Sequence, residues 1–246
     1  MAPEIARPRK GGKVSTSSVH QAASGPPKQA TDLVTLKDLE EDVPTRSRHV
    51  GNLDALRAAA DWIATFVATP NEGLGRSGPV CPFVPGALER QTLWLAAEQT
   101  ADQSVLDVVQ LVCGYKKLFA RLKPIDGEDA DYKAMVVVFP DVSAERASHF
   151  FAELFDHLQV SSYVEDGLVL GAFCGQNEGS AIYNADFRPF KSPAPFLLIR
   201  RAVLSDWKFF LDDEDGLRRW AQRFGVPAVL ALAEELRALP WRAMRR

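Results

Sequence analysis

Cysteine is scarce in this chain. Cys81, Cys113 and Cys174 are the whole set in 246 residues. An odd number with no CxxC spacing argues against a disulfide framework and against structural zinc, and suits a reducing, cytoplasmic compartment. Histidine is equally sparse: His20, His49, His149 and His157. No two stand at ligand spacing, which argues against a mononuclear non-haem metal site, and no Ser-His-Asp set can be assembled. A basic surplus is missing as well. Lys and Arg number 29 against 32 Asp and Glu, a net charge of −3, so a general nucleic-acid binder is not expected. No apolar run approaches the roughly 18–20 residues that cross a bilayer, so no membrane partner is expected. The first residues are basic without an apolar stretch after them, so no secretory signal is expected.

What is present is ordinary globular material, 46% hydrophobic and 25% charged, enough for one sizeable core. Residues 1–48 are rich in Pro, Gly, Ser, Lys and Arg and lack a sustained apolar period. They read as a disordered tail, within which Leu33 to Leu39 is a candidate for docking on the domain. Residues 49–246 read as a single domain.

Its elements follow from periodicity. Asn52 is placed to cap a helix whose Leu53, Leu56, Ala59, Ala60, Ile63 and Val67 recur at helical spacing. A Gly- and Pro-rich loop runs from Glu72 to Gly86. Thr92–Ala97 reads as a strand. Ser104 caps a second helix with Val105, Val108, Val109, Val112, Tyr115 and Phe119 on one face. Ala134–Phe139 is a dense apolar run, hence a buried strand. Ser143 caps a third helix carrying the stripe Ala147, Phe150, Phe151, Leu154 and Leu158. Leu168–Phe173 and Phe196–Val203 are further strands, and two helices close the chain around Gly225 and Pro227. This order predicts an α+β fold: a mainly antiparallel four-stranded sheet with helices on one face.

Two irregular segments carry the chemistry. In the first, Gly75 to Gly86, three prolines stiffen the backbone and present Cys81 on a fixed, non-helical stretch. Such a thiol suits a nucleophile or a thiolate ligand to haem iron; the plainer alternative is a buried Cys filling an apolar niche. The glycines there do not sit between a strand and a helix, so no dinucleotide site is expected. In the second, Asn184 to Pro195, prolines again stiffen the chain. Arg188, Lys191, Arg200 and Arg201 supply cations near a strand end. Guanidinium forks suit a carboxylate, including a haem propionate; the alternative is pairing with Asp186, Asp206 and other acids. His157, on the flank of the third helix's stripe, is placed to reach a pocket or to stay at the surface.

Leu74-Gly75-Arg76-Ser77-Gly78-Pro79-Val80-Cys81-Pro82-Phe83-Val84-Pro85 and Asn184-Ala185-Asp186-Phe187-Arg188-Pro189-Phe190-Lys191-Ser192-Pro193 resemble the signatures of a bacterial family of unknown function. The likeness spans roughly residues 52–215. More distantly the chain is similar to the YqcI/YcgG family, which shares a Cys-Pro-Phe loop before a strand and a Phe-Cys pair at a strand end, here Phe173-Cys174. Some of its members are haem-dependent N-hydroxylases of amino or guanidino groups in natural-product pathways. The resemblance therefore implies a haem cofactor and a small amino- or guanidino-containing substrate. Cys81, Cys174 and His157 are the candidate axial ligands, with Cys81 the candidate metal ligand and Arg200 a propionate partner. Phe83, Asn184 and Arg188 are the candidate substrate contacts. Residues 184–195 contain no histidine, where the distant family is expected to have one nearby, and Cys174 stands where the nearer family is expected to have one; if either His is the iron ligand, this chain has lost it or uses a thiolate instead. The alternatives are a non-catalytic small-molecule-binding or partner protein on the same scaffold, and a thiol-dependent enzyme using Cys81.

Overall fold

A computed structural model describes residues 28–29, 33–41, 50–158, 166–210 and 214–238. Five strands form one sheet in the order β1-β2-β3-β5-β4: β1 Val34–Thr35, β2 Leu93–Ala97, β3 Ala134–Val138, β4 Leu168–Phe173 and β5 Phe196–Arg201. Strands β2 and β3 run parallel, with Leu95 opposite Val136. The other pairs are antiparallel; Val136 faces Leu198, and Phe173 faces Phe196.

The expected four-stranded, mainly antiparallel sheet with helices on one face is thus corrected on three points. The sheet has a fifth strand, it is mixed, and helices cover both faces. The reason lies in α4, Val105–Arg121. It links β2 to β3 as a crossover, and a crossover of that length joins parallel strands. Its start is as expected: Ser104 accepts from the Asp107 amide, and Asp107 reciprocates at the Ser104 amide. Strand β3 (Ala134-Met135-Val136-Val137-Val138) is apolar at every position, the pattern of a strand buried on both sides rather than alternating.

One face packs on α4 and α5, the latter Ala144–Leu158. Val112, Tyr115, Phe119, Phe151 and Leu154 meet Met135, Val137, Leu170, Leu197 and Ile199 there. Phe151 is 3% exposed, and a Phe so placed contributes about 3–5 kcal/mol to a core. Phe150 is half-buried and sets its ring edge-on to Phe139, centroids 5.2 Å apart. The other face packs on α2, Leu53–Trp62, whose Leu56, Ala59 and Ala60 meet Leu93, Leu95, Val136, Val138 and Phe196. Helix α2 runs on as a π-helical stretch, Ile63–Val67. Asn52 precedes it without a side-chain capping bond.

Residues 33–41, placed within the tail by composition, belong to the sheet layer. Strand β1 pairs with β2, and a Thr35–Asp38 capping box starts α1, Leu36–Glu40. Val34 and Leu39 are 4% and 5% exposed in the α2-side core. The rest of the expected tail, apart from Lys28 and Gln29, lies outside the described residues. The Glu72–Gly86 loop is also more ordered than its composition suggests: it holds a 3-10 turn, Glu72–Leu74, and yields to α3, Val84–Glu89, at Pro85. Helices α6, Glu214–Phe224, and α7, Val226–Ala238, form a terminal pair around Trp220. No helix of the described residues is long and apolar enough to cross a membrane.

Candidate functional site

The segment 184–195 lies against two tight turns of the same build. In the first, Asn71 Oδ1 accepts from the Gly73 amide at 2.8 Å; in the second, Asn177 Oδ1 accepts from the Gly179 amide at 2.8 Å. Each glycine carries a phenylalanine ring. A Cβ on Gly73 would stand 2.7 Å from the Phe187 ring, and one on Gly179 would stand 2.8 Å from Phe190. Asn184 adds a bond from its side-chain amide to the Gly73 carbonyl, 2.7 Å. Gly75, at φ +73°, packs under the Tyr183 carbonyl, 2.5 Å from where its Cβ would be. Conformation and space both require glycine there.

The 184–195 segment therefore meets the start of the 72–86 loop at Gly73, rather than its Cys81. Strands β2 and β5 run in opposite directions, so the stretch entering β2 and the stretch entering β5 reach the sheet from opposite ends. The Cys81 amide donates to the Val67 carbonyl at 3.0 Å and Val80 to Thr69 at 3.1 Å, tying the loop to the end of the π-helical stretch. Arg76 clasps the same loop by donating to the Ser77 and Val80 carbonyls. Near Cys81 lies Arg200, at the far end of β5. Its guanidinium donates to both oxygens of Asp206, at 2.9 and 2.7 Å. Asp206 is 2% exposed and also accepts from the Val203 amide. Burial works against the charge on Arg200; the Asp206 pairing and the neighbouring Cys81 thiol outweigh it and raise its pKa above the ordinary value. Arg200 is thus committed to Asp206 within the fold, as the plainer sequence reading allowed. Removing one partner of such a pair typically costs about 3–5 kcal/mol.

Cys174 lies on the other face of the sheet, among the residues packed by α4 and α5. It follows β4, is 2% exposed, and its Sγ lies 3.8 Å from Ser148 Oγ on α5. Between α5 and the end of β4 opens a cleft of about 380 Å³. Phe151, Phe155, Ala152 and Ala172 give it an apolar wall; Ser148, Cys174, Gln176, Asn177 and Glu178 give it polar atoms. Asn177 is fixed at both ends, since its Nδ2 donates to the Ala172 carbonyl at 2.9 Å. At the rim, Glu178 meets Lys191 Nζ at 2.9 Å and Arg188 Nε at 3.3 Å. Hydrogen bonds from Lys191 and then Arg188 lower the pKa of Glu178, so its carboxylate is charged at neutral pH.

The expected site residues are thus dispersed. Cys81 and Arg200 share one region. Cys174 and, through Glu178, Arg188 share another. Asn184 sits between them as a brace. Phe83 precedes α3, packs near Tyr132 with centroids 5.9 Å apart, and lines a separate cleft of about 520 Å³ with Trp207, Lys208 and Glu234. His157 is exposed, its Nδ1 3.1 Å from the Glu153 carbonyl on its own helix, and lines neither cleft. Sequence reasoning missed Ser148, Asn177 and Glu178. A signal existed for one of them: Asn177-x-Gly179 repeats the Asn71-x-Gly73 pattern, and Asn with Gly two residues on marks a side-chain-closed turn. Among the described residues no group of three or more His, Cys, Asp or Glu is disposed to hold a metal ion.

Fold and site together define an α+β domain with a mixed, doubly covered sheet and a polar-rimmed cleft beside its edge strand. The chain belongs to the family described as Domain of unknown function (DUF6875), whose model matches residues 56–234 and so includes both signature segments. No curated protein and no solved structure matches it.

Proposed function

We propose that this domain binds a small amino- or guanidino-containing metabolite in the Cys174 cleft. One observation carries the reading: the cleft joins an apolar wall of Phe151 and Phe155 to a buried thiol, a fixed Asn177 and a charged rim of Glu178, Arg188 and Lys191. A mostly apolar concavity with a few convergent polar groups is the usual form of a small-molecule site. The larger cleft at Phe83 lacks this buried, braced polar set.

Haem-dependent N-hydroxylation, which the similarity to the YqcI/YcgG family implies, fits these residues less well. Cys81 does lie near the propionate candidate Arg200, but that guanidinium is already taken by both oxygens of Asp206, and Cys81 lines neither of the two clefts. Asp206 holds Arg200 on the face away from Cys174. No catalytic step is therefore drawn through haem, and the binding reading stands without it.

The test combines binding and absorption. Ligand-observed NMR on the full chain with L-arginine and L-phenylalanine should detect binding. Ala152→Trp, at an exposed position of α5 lining the cleft, should abolish it without lowering Tm. Binding that survives Ala152→Trp would move the site elsewhere. A Soret band after expression with haem precursor, lost in Cys174→Ser but kept in Cys81→Ser, would restore the haem-dependent reading at this same cleft.

A further inference from the structure

Glu178 is the one charged residue among those lining the Cys174 cleft, and it is not alone there. Two cations stand behind it. Arg188 is positioned independently of Glu178, because its guanidinium also donates to the Ala185 and Phe187 carbonyls. Lys191 follows Phe190, whose ring is seated on Gly179 and against Phe173. The Glu178 side chain, by contrast, is 72% exposed and held only by these two charge pairs. Exposed pairs of this kind are weak individually. The rim therefore consists of a guanidinium held by backbone carbonyls, a more exposed ammonium and one loosely held carboxylate.

This arrangement decides which end of a ligand the rim favours. The two cations and one carboxylate sum to a net positive charge. A ligand ammonium or guanidinium approaching Glu178 would meet a carboxylate already satisfied twice, with two like charges behind it. A ligand carboxylate meets two cations whose present partner is free to swing into solvent. The incoming group gains the positions that Glu178 now occupies, while its apolar body rests on Phe151 and Phe155.

We propose that the cleft takes the carboxylate end of its ligand, and that Glu178 is an internal stand-in for that carboxylate, displaced when the ligand binds. This rests on the Cys174 cleft being the binding site. Because the stand-in is tethered, it competes at a high effective concentration. Glu178 then sets both affinity and charge selectivity: a neutral or cationic ligand cannot displace it from Arg188 and Lys191, whereas an anionic ligand can.

The experiment uses three probes of one shape, 3-phenylpropionate, 3-phenylpropionamide and 3-phenylpropylamine, titrated by calorimetry into the full chain, Glu178→Gln and Arg188→Met/Lys191→Met. The carboxylate should bind best to the wild type. Glu178→Gln should tighten it by about two- to tenfold, as expected for removal of a pair of exposed ionic contacts. The double variant should lose it, and Ala152→Trp should block it in every background. Unchanged or weaker carboxylate binding in Glu178→Gln, with Ala152→Trp still blocking, overturns the stand-in role and leaves the cleft as the site. Preference for the amine, lost in Glu178→Gln, also overturns it, because Glu178 would then be the recognising group. Absence of binding by all three probes to both wild type and Glu178→Gln overturns the stand-in role and the choice of cleft together.

Discussion

The side-chain amide of Asn184 donates to the main-chain carbonyl of Gly73 at 2.7 Å, joining positions 111 residues apart. Two proline-stiffened segments that approach opposite ends of the sheet are held together at this point. The bond is part of a contact in which the Phe187 ring lies where any side chain on Gly73 would begin. Backbone and ring are both fixed, so neither yields cheaply.

Gly73→Ala should therefore destabilise the domain by about 1–3 kcal/mol, the usual cost of forcing an extra carbon into a packed contact. The added Cβ would stand 2.7 Å from Phe187 Cδ2 and 3.0 Å from Asn71 Oδ1. Gly51→Ala is the control, since nothing lies within 4 Å of its Cβ position. Urea unfolding of the two variants checks this. If Gly73→Ala proves as mild as Gly51→Ala, the two segments are not locked together at Gly73.

A chain beginning at Arg46 should be less stable than one beginning at Lys28 by about 2–4 kcal/mol, or roughly 5–15 °C in Tm. Composition alone predicts almost no change, because residues 1–48 are poor in apolar residues taken together. The structure assigns the loss to two of them, Val34 and Leu39, both buried against α2 and β2. Loss of β1 also exposes the edge of β2. Equal melting temperatures for the two truncations would show that the β1–β2 pairing contributes nothing to the fold.

Much of the fold was legible because single residues announce it. Ser104 and Asp107 mark the start of α4, and the 4-3-4 stripe of Ala147, Phe151, Leu154 and Leu158 marks the buried face of α5. The direction of β2 and β3 was missed although its signs were present, a Ser104-capped helix between them and a β3 apolar at every position. Strand β1 escaped notice because two residues carry no period. At the site, Cys174 was singled out by its place after Phe173, and Arg188 by its place between Phe187 and Pro189. Glu178 was not, because its role comes from two cations that reach it only after the 174–195 connection has folded back on itself. Which acid would take Arg200 was not legible either, because Asp206 becomes its buried partner only in the fold.

The last prediction concerns Lys133, which is 2% exposed. Its ammonium donates to the carbonyls of Phe119 and Leu122, each at 2.9 Å, and stands 4.5 Å over the Phe119 ring. These carbonyls lie at the end of α4, where the amides of a further helical turn are missing, although the Phe119 carbonyl also accepts from the Leu122 amide at 3.3 Å. Burial lowers the Lys133 pKa from 10.5 to about 8, with Arg201 adding repulsion. The sign of the pH effect follows. Below about pH 8 the amine is charged in both the folded and unfolded chain, and the folded state bears the full cost of burying it. Between about 8 and 10.5 the unfolded chain keeps a proton that the folded chain has released. Stability from this group must then rise with pH across that window. Lys133→Met removes the titration while keeping the volume, and deletes the ammonium's bonds to the Phe119 and Leu122 carbonyls, of which Phe119 keeps the Leu122 amide, at about 1–3 kcal/mol. A neutral amine still donates to both carbonyls, so the wild type keeps these bonds at high pH. The stability difference, wild type minus Lys133→Met, should therefore grow by about 2 kcal/mol between pH 7 and 9.5. Other groups that titrate in this range do so in both proteins and cancel in the difference. A flat or shrinking difference in urea unfolding at the two pH values would mean that the carbonyl bonds, which favour the charged form, hold Lys133 near its ordinary pKa.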